Sequence, residues 1–185
     1  MSFNYRNQCL GELFMSKIMI CGLNGSGKST LGRALAKKLD YVHKDIEEYY
    51  FNSGDSYKYS TSLDRESVTK NIESDIEKYD NIIFTSCKGD YGNISDKYDL
   101  VIYIKLDKDT RLARVKQRSY DLFGDRILSG GDLFESENKF FEKVYKKDEL
   151  EIISWVKSLK CDKLEIDGLK STEENVNFIL NYLGE

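Results

Sequence analysis

Gly22-Leu23-Asn24-Gly25-Ser26-Gly27-Lys28-Ser29 satisfies the pattern G-x-x-x-x-G-K-[ST] at every fixed position, the signature of a loop that cradles phosphate. The residue types follow from the chemistry. Glycines let the backbone wrap phosphate oxygens without Cβ clashes, and successive amides then form an anion-binding nest. The context agrees with the motif. An apolar run at 17–21 enters the loop as a strand. A helix over 27–39 leaves it, with Leu31, Ala34, Leu35 and Leu39 on one face, and its N-terminal end adds positive potential. The motif assigns Gly22, Asn24, Gly25, Ser26, Gly27, Lys28, Ser29 and Thr30 to a purine nucleoside triphosphate. Lys28 is expected to reach the β- and γ-phosphates, and Ser29 to offer its hydroxyl to Mg²⁺.

Outward from the loop, short apolar strands alternate with longer helical segments. Strands are expected at 41–44, 81–85, 98–106 and 163–167, and helices at 61–78, from Asp107 through Arg118, and at 133–147 and 149–160. Ser171 and Glu174 form a capping box for a last helix that buries Val176, Ile179, Leu180 and Leu183. Five strands in such alternation predict an α/β fold, a parallel sheet with helices on both faces. The length of 185 residues suits one domain.

The phosphate loop, continued by Thr30-Leu31 and by Ala34, Lys37, Lys38 and Leu39, resembles the opening of the adenylate-kinase and shikimate-kinase group of P-loop kinases. It is similar above all to bacterial members labelled ATP-binding or AAA-family proteins. The likeness runs through most of the chain from Met15 onward. It implies a three-layer P-loop NTPase fold, strand order 2-3-1-4-5, a small helical lid at about 119–135, and ATP- and Mg²⁺-dependent phosphoryl transfer.

The second strand ends at Asp45, followed by Ile46-Glu47. A carboxylate at a strand's C-terminal end beside the phosphate loop suits a metal-bound water or the acceptor's hydroxyl proton. Capping of the next helix explains Asp45 as well. Shikimate-kinase-like enzymes carry Asp-x-Asp at this place, and Glu47 departs from it by a methylene. Asp45 is therefore a candidate catalytic residue and, with Ser29, a candidate metal ligand. Tyr49, Tyr50, Phe51, Tyr57 and Tyr59 suit either an acceptor wall or helix packing. His43 receives no role. The third strand leads into Thr85-Ser86-Cys87-Lys88-Gly89-Asp90, without the Asp-Gly-x-Pro-Arg of adenylate kinases.

Arg114 and Arg118 share a helix face, and Arg126 follows in a glycine-containing loop. The resemblance makes these arginines a clamp on the transferring phosphoryl group, where guanidinium charge offsets charge developing on oxygen. A solvated basic helix would show the same spacing. The loop 167–171 occupies the place where relatives hold adenine.

Composition narrows the classes. A net charge of −4 with interleaved signs argues against nucleic acid as partner, and no apolar run is long enough to span a bilayer. Cys9, Cys21, Cys87 and Cys161 show no C-x-x-C pair, which fits reduced thiols in a cytoplasm. Gly11-Glu12 is compatible with a purine-rich ribosome-binding site just before Met15, so residues 1–14 are expected to be a disordered leader and 15–185 the domain. Three functions are in contention: a kinase for a small-molecule or nucleotide acceptor, an ATPase or GTPase switch, and an idle regulatory nucleotide-binding module. A small GTPase would need Asn-Lys-x-Asp, and Leu159-Lys160-Cys161-Asp162 lacks the asparagine. Acceptor identity and oligomeric state have no motif.

Overall fold

The computed structural model describes residues 4–5, 16–50 and 63–185. Its central strand, β1 (Lys17–Cys21), shows how the layers arise. Successive side chains point to opposite faces, so Ile18 and Ile20 enter one core while Met19 and Cys21 enter the other. All four are fully buried, as expected of a strand with parallel neighbours and helices on both faces.

From β1 the chain passes through α1 (Lys28–Leu39), β2 (Val42–Asp45), the single-turn α2 (Ile46–Tyr49) and α3 (Arg65–Lys78). It continues through β3 (Ile82–Ser86), β4 (Leu100–Lys105), α4 (Lys108–Phe123) and α5 (Phe134–Lys146). It ends with α6 (Leu150–Ser158), β5 (Asp162–Asp167) and α7 (Thr172–Leu183). The five strands are parallel in the order 2-3-1-4-5. Beyond the expected five, Asn4–Tyr5 pairs antiparallel with β5 at Leu164 and Lys163; the rest of 1–14, with Cys9, lies outside the described residues.

One core packs α1 and α7 on the sheet through Leu31, Leu35, Val176 and Ile179, and the other packs α3 and α6 through Val68, Ile72, Ile152 and Trp155. A third, separate cluster joins α4 to α5 through Val115, Ile127, Phe141 and Val144. This helical hairpin holds its own small core, separate from the sheet.

Several elements differ from expectation, among them the helix expected from 61, which begins at Arg65, and the strand expected over 98–106, which spans Leu100–Lys105. Helix α4 runs to Phe123 rather than stopping at Arg118, because Val115 and Ser119 continue its buried stripe and the stop comes at Gly124, where φ is 58°. The turn expected to be open loop around Arg126 contains a short 3₁₀ helix, Gly124–Ile127. Helix α3 begins at Arg65 because the Asp64 side chain accepts from the Ser67 amide at 2.8 Å. Asp107 caps α4 as expected, accepting from the Thr110 amide at 2.8 Å.

Candidate functional site

Strand β1 delivers the chain into the loop and α1 carries it away. Gly25 and Gly27 hold φ of 85° and 94°, a region open to glycine and costly to other residues. At Gly25 there is no room either, since a Cβ would lie 2.4 Å from the Arg111 carbonyl oxygen on α4. Gly22 is needed for a different reason: a Cβ there would meet Ser26 Oγ at 2.7 Å, a buried hydroxyl without a hydrogen-bond partner among the described residues. Gly27 occupies the N-cap of α1 with no side-chain cap, and the first turn carries no acidic residue. The helix therefore presents uncapped amides and its positive end to the loop. An anion is what such a terminus lacks.

Lys28 is 7% exposed and Asp45 9%. Burial works against the Lys28 charge, but Cys87, Glu47 and Asp45 together hold its pKa above the ordinary value. Its Nζ lies 3.3 Å from Glu47 Oε1. Asp45 is the cap that was weighed for it, and its second oxygen is turned to the phosphate loop. Its Oδ1 caps α2 by accepting from the Glu47 amide at 3.2 Å, and its Oδ2 accepts from Ser29 Oγ at 2.6 Å. Ser29 and Asp45 thus stand together as hard oxygen donors, the set that Mg²⁺ accepts alongside phosphate oxygens and water. Among the described residues no cluster of three or more His, Cys, Asp or Glu could hold a metal alone. Thr30, next on the helix, is exposed.

Two groups that the sequence did not single out complete this end of the site. Cys87, just beyond β3, places Sγ 3.6 Å from Asn24 Oδ1 and 3.5 Å from Glu47 Oε1. Burial raises its pKa, with Lys28 pulling the other way, so the thiol is protonated. Lys147, after α5, donates from Nζ to Asn24 Oδ1 at 3.0 Å.

The lid arginines divide. Arg114 donates from Nη2 to the Gly168 carbonyl oxygen at 3.0 Å, which sets it on the loop after β5. Arg126 grips Asp132 through two hydrogen bonds of 3.0 and 2.7 Å. Arg118 is exposed and makes no ion pair with a described residue. Arg111, unremarked in the sequence, is 4% exposed, holds the Leu106 carbonyl oxygen at 3.3 Å and packs its backbone against Gly25.

Beside Glu47 and Cys87 opens a cavity of about 340 Å³, bounded by Arg65, Lys88, Tyr91 and Glu151. Lys88 is neutralised by Asp90 at 3.1 Å and Glu151 at 3.3 Å. Arg65 bonds only neutral partners among the described residues, the Asp90 carbonyl oxygen at 2.6 Å and the face of Tyr91. Tyr50 lines the cavity and Tyr49 instead donates to Asp75; Phe51, Tyr57 and Tyr59 lie outside the described residues. A larger hollow, about 510 Å³, lies against β5 and Phe178 and touches no phosphate-loop residue. His43 is packed against Gly32, with Nε2 3.2 Å from Thr85 Oγ1.

Known proteins share these features. The AAA domain family matches residues 18–138. The uncharacterised protein YqaC of Bacillus subtilis (strain 168) is 30% identical over 175 residues, covering 90% of this chain and 96% of that protein. The shikimate kinase of Enterococcus faecalis (strain ATCC 700802 / V583) is 26% identical, covering 92% and 100%. Among solved structures, a gluconokinase from Sinorhizobium meliloti 1021 superposes with a TM-score of 0.56 at 14% identity, covering 92% and 93%, a likeness of fold. The matched span runs from β1 through the phosphate loop and both carboxylates into the helical hairpin, and on that footing the chain belongs to the AAA domain family, built as a P-loop small kinase.

Proposed function

We propose that this protein transfers the γ-phosphoryl group of ATP to a small hydroxylated acceptor that carries an anionic group. The observation that carries the reading is the junction at Glu47 and Cys87. The phosphate loop with its buried lysine meets there a cavity that holds a cation, Arg65, without a carboxylate partner among the described residues.

The geometry supports the following roles. Loop amides and Lys28 bind the triphosphate, and Ser29 and Asp45 would hold Mg²⁺, which would supply charge neutralisation on the phosphates. Arg114 bounds the purine from the loop after β5. Arg65 seats the acceptor's anionic group, and its planar fork suits a carboxylate or phosphate. The acceptor hydroxyl oxygen forms a bond to γ-phosphorus as the bond to the β-phosphate bridging oxygen breaks, releasing ADP. The hydroxyl proton passes to Glu47, because both Asp45 oxygens are already engaged whereas Glu47 faces the cavity and is half exposed. Triphosphate arriving at Lys28 replaces Glu47 as its partner and frees that carboxylate. Free Cys21, Cys87 and Cys161 fit a reducing cytoplasm.

ADP release is measured with ATP, Mg²⁺ and a panel of shikimate, gluconate, deoxynucleosides and their monophosphates. One anionic acceptor raises turnover by about 100-fold or more over water, as positioning of two reactants provides. Arg65→Met raises the acceptor KM by roughly 10–100-fold and leaves the ATP KM unchanged, the loss of a charge-assisted contact. Slow hydrolysis indifferent to every acceptor refutes the kinase reading and leaves a switch.

A further inference from the structure

Lys147 is the residue of the site that nothing so far explains. It follows α5 and stands 123 residues along the chain from Asn24, yet its ammonium reaches that side chain at 3.0 Å. It makes no ion pair with a described residue, whereas the adjacent Lys146 is paired with Glu142 at 3.3 Å. Its charge also acts on Cys87.

A continuous run of polar atoms links the two lysines. From Lys147 Nζ it passes to Asn24 Oδ1 at 3.0 Å, to Cys87 Sγ at 3.6 Å, to Glu47 Oε1 at 3.5 Å and to Lys28 Nζ at 3.3 Å. One end is the lysine that grips β- and γ-phosphates; the other is a cation with no ion-pair partner among the described residues. Glu47 and Cys87, in the middle of the run, line the acceptor cavity, and Asn24 and Lys28 belong to the phosphate loop.

We infer that Lys147 is a second γ-phosphate cation, carried to the phosphate loop by the end of the α4–α5 hairpin; the inference rests on the kinase reading above. Its ammonium donates to a neutral amide oxygen. A γ-phosphate oxygen offers a charged acceptor, and charge-assisted hydrogen bonds are roughly twice as strong as neutral ones. The exchange ties the hairpin to the triphosphate and not to the diphosphate. Both ends of the hairpin rest on the loop, since Arg111 in the first turn of α4 packs against Gly25. The γ-phosphate therefore fixes the hairpin over the acceptor, and ADP releases it.

Calorimetry with Mg²⁺ compares ADP with a non-hydrolysable ATP analogue on the wild type, Lys147→Met, Lys147→Gln and Lys147→Arg. The Met and Gln variants weaken the analogue by about tenfold or more and leave ADP within about twofold, whereas Arg retains most of the analogue affinity. Glutamine keeps a donor for Asn24 without the charge, so recovery by Lys147→Gln shows a strut and overturns the inference. Equal loss for both nucleotides, or no loss, overturns it while the kinase reading stands. A wild type that binds neither nucleotide removes both. Lys147 is exposed, and unchanged melting of the Gln variant serves as the folding control.

Discussion

Alanine at Gly25 and at Gly27 separates the two reasons a phosphate loop needs glycine. Both positions hold left-handed φ, 85° and 94°, so each substitution carries a backbone cost of about 1–2 kcal/mol. Their surroundings differ. A Cβ at Gly25 sits 2.4 Å from the Arg111 carbonyl oxygen and 3.0 Å from its carbonyl carbon, whereas at Gly27 it meets nothing within 4 Å. The clash is with backbone, so α4 or the loop must shift, adding about 1–3 kcal/mol as in other overpacked sites. Gly25→Ala is expected to cost roughly 2–5 kcal/mol in all and Gly27→Ala roughly 1–2 kcal/mol. At about 2–4 °C per kcal/mol for a chain of this size, the first variant melts roughly 10 °C below the wild type and the second roughly 4 °C. Binding behaves differently. Gly27 is the N-cap of α1, where an anion is expected to bind, so Gly27→Ala is expected to lose at least about tenfold in affinity for the ATP analogue despite its milder melting shift. Urea unfolding and calorimetry on both variants supply the comparison. Equal destabilisation at the two positions refutes the assignment of Arg111 as the wall behind Gly25.

Other expectations concern the rest of the chain. Lys28→Ala abolishes triphosphate binding in calorimetry while the fold survives, and retained binding sinks the phosphate-loop assignment. Arg126→Ala is expected to lower kcat roughly 10–100-fold with little change in melting, because its pair with Asp132 is exposed and such pairs stabilise weakly; unchanged turnover removes Arg126 from the lid's chemistry. Burial holds the His43 imidazole below its ordinary pKa, opposed by Asp45 and assisted by Arg33. The unfolded chain then takes up the proton first as pH falls below about 6.5, so stability declines on acidification from there. His43→Gln gives a shallower decline between pH 7 and 5 in urea unfolding, and parallel slopes refute the attribution. Ser171→Ala breaks a capping box whose two arms measure 3.2 and 2.8 Å, at a cost of about 1 kcal/mol in thermal unfolding.

The sheet was legible because its signals are local. Five residues of β1 decide both cores by alternation, and the loop after them has a fixed spacing. Helix ends were less so. The basic run ends at Arg118, but α4 ends where Gly124 permits a turn, and its burial continues at Ser119. A charge pattern marks the wet side of a helix, whereas its length is set by the buried side, which at Ser119 is polar and gives no apolar signal.

The site divides along the same line, between chemistry written in adjacent residues and chemistry made by distant ones. Asp45 was read as either a cap or a functional carboxylate, and it is joined to both partners at once, one oxygen to the Glu47 amide and the other to Ser29. A carboxylate has lone pairs enough for both hydrogen bonds. Arg65 and Lys147 carried no motif. Arg65 gains its place as the first residue of α3, after the Asp64 cap and beside the cavity, and Lys147 from the end of a hairpin that reaches Asn24 of the loop. The arginine spacing pointed to the middle of that hairpin, yet the hairpin cation that meets the phosphate loop is at its end. Spacing announces a contact between neighbours in sequence, whereas one that joins residues 123 apart has no spacing to read.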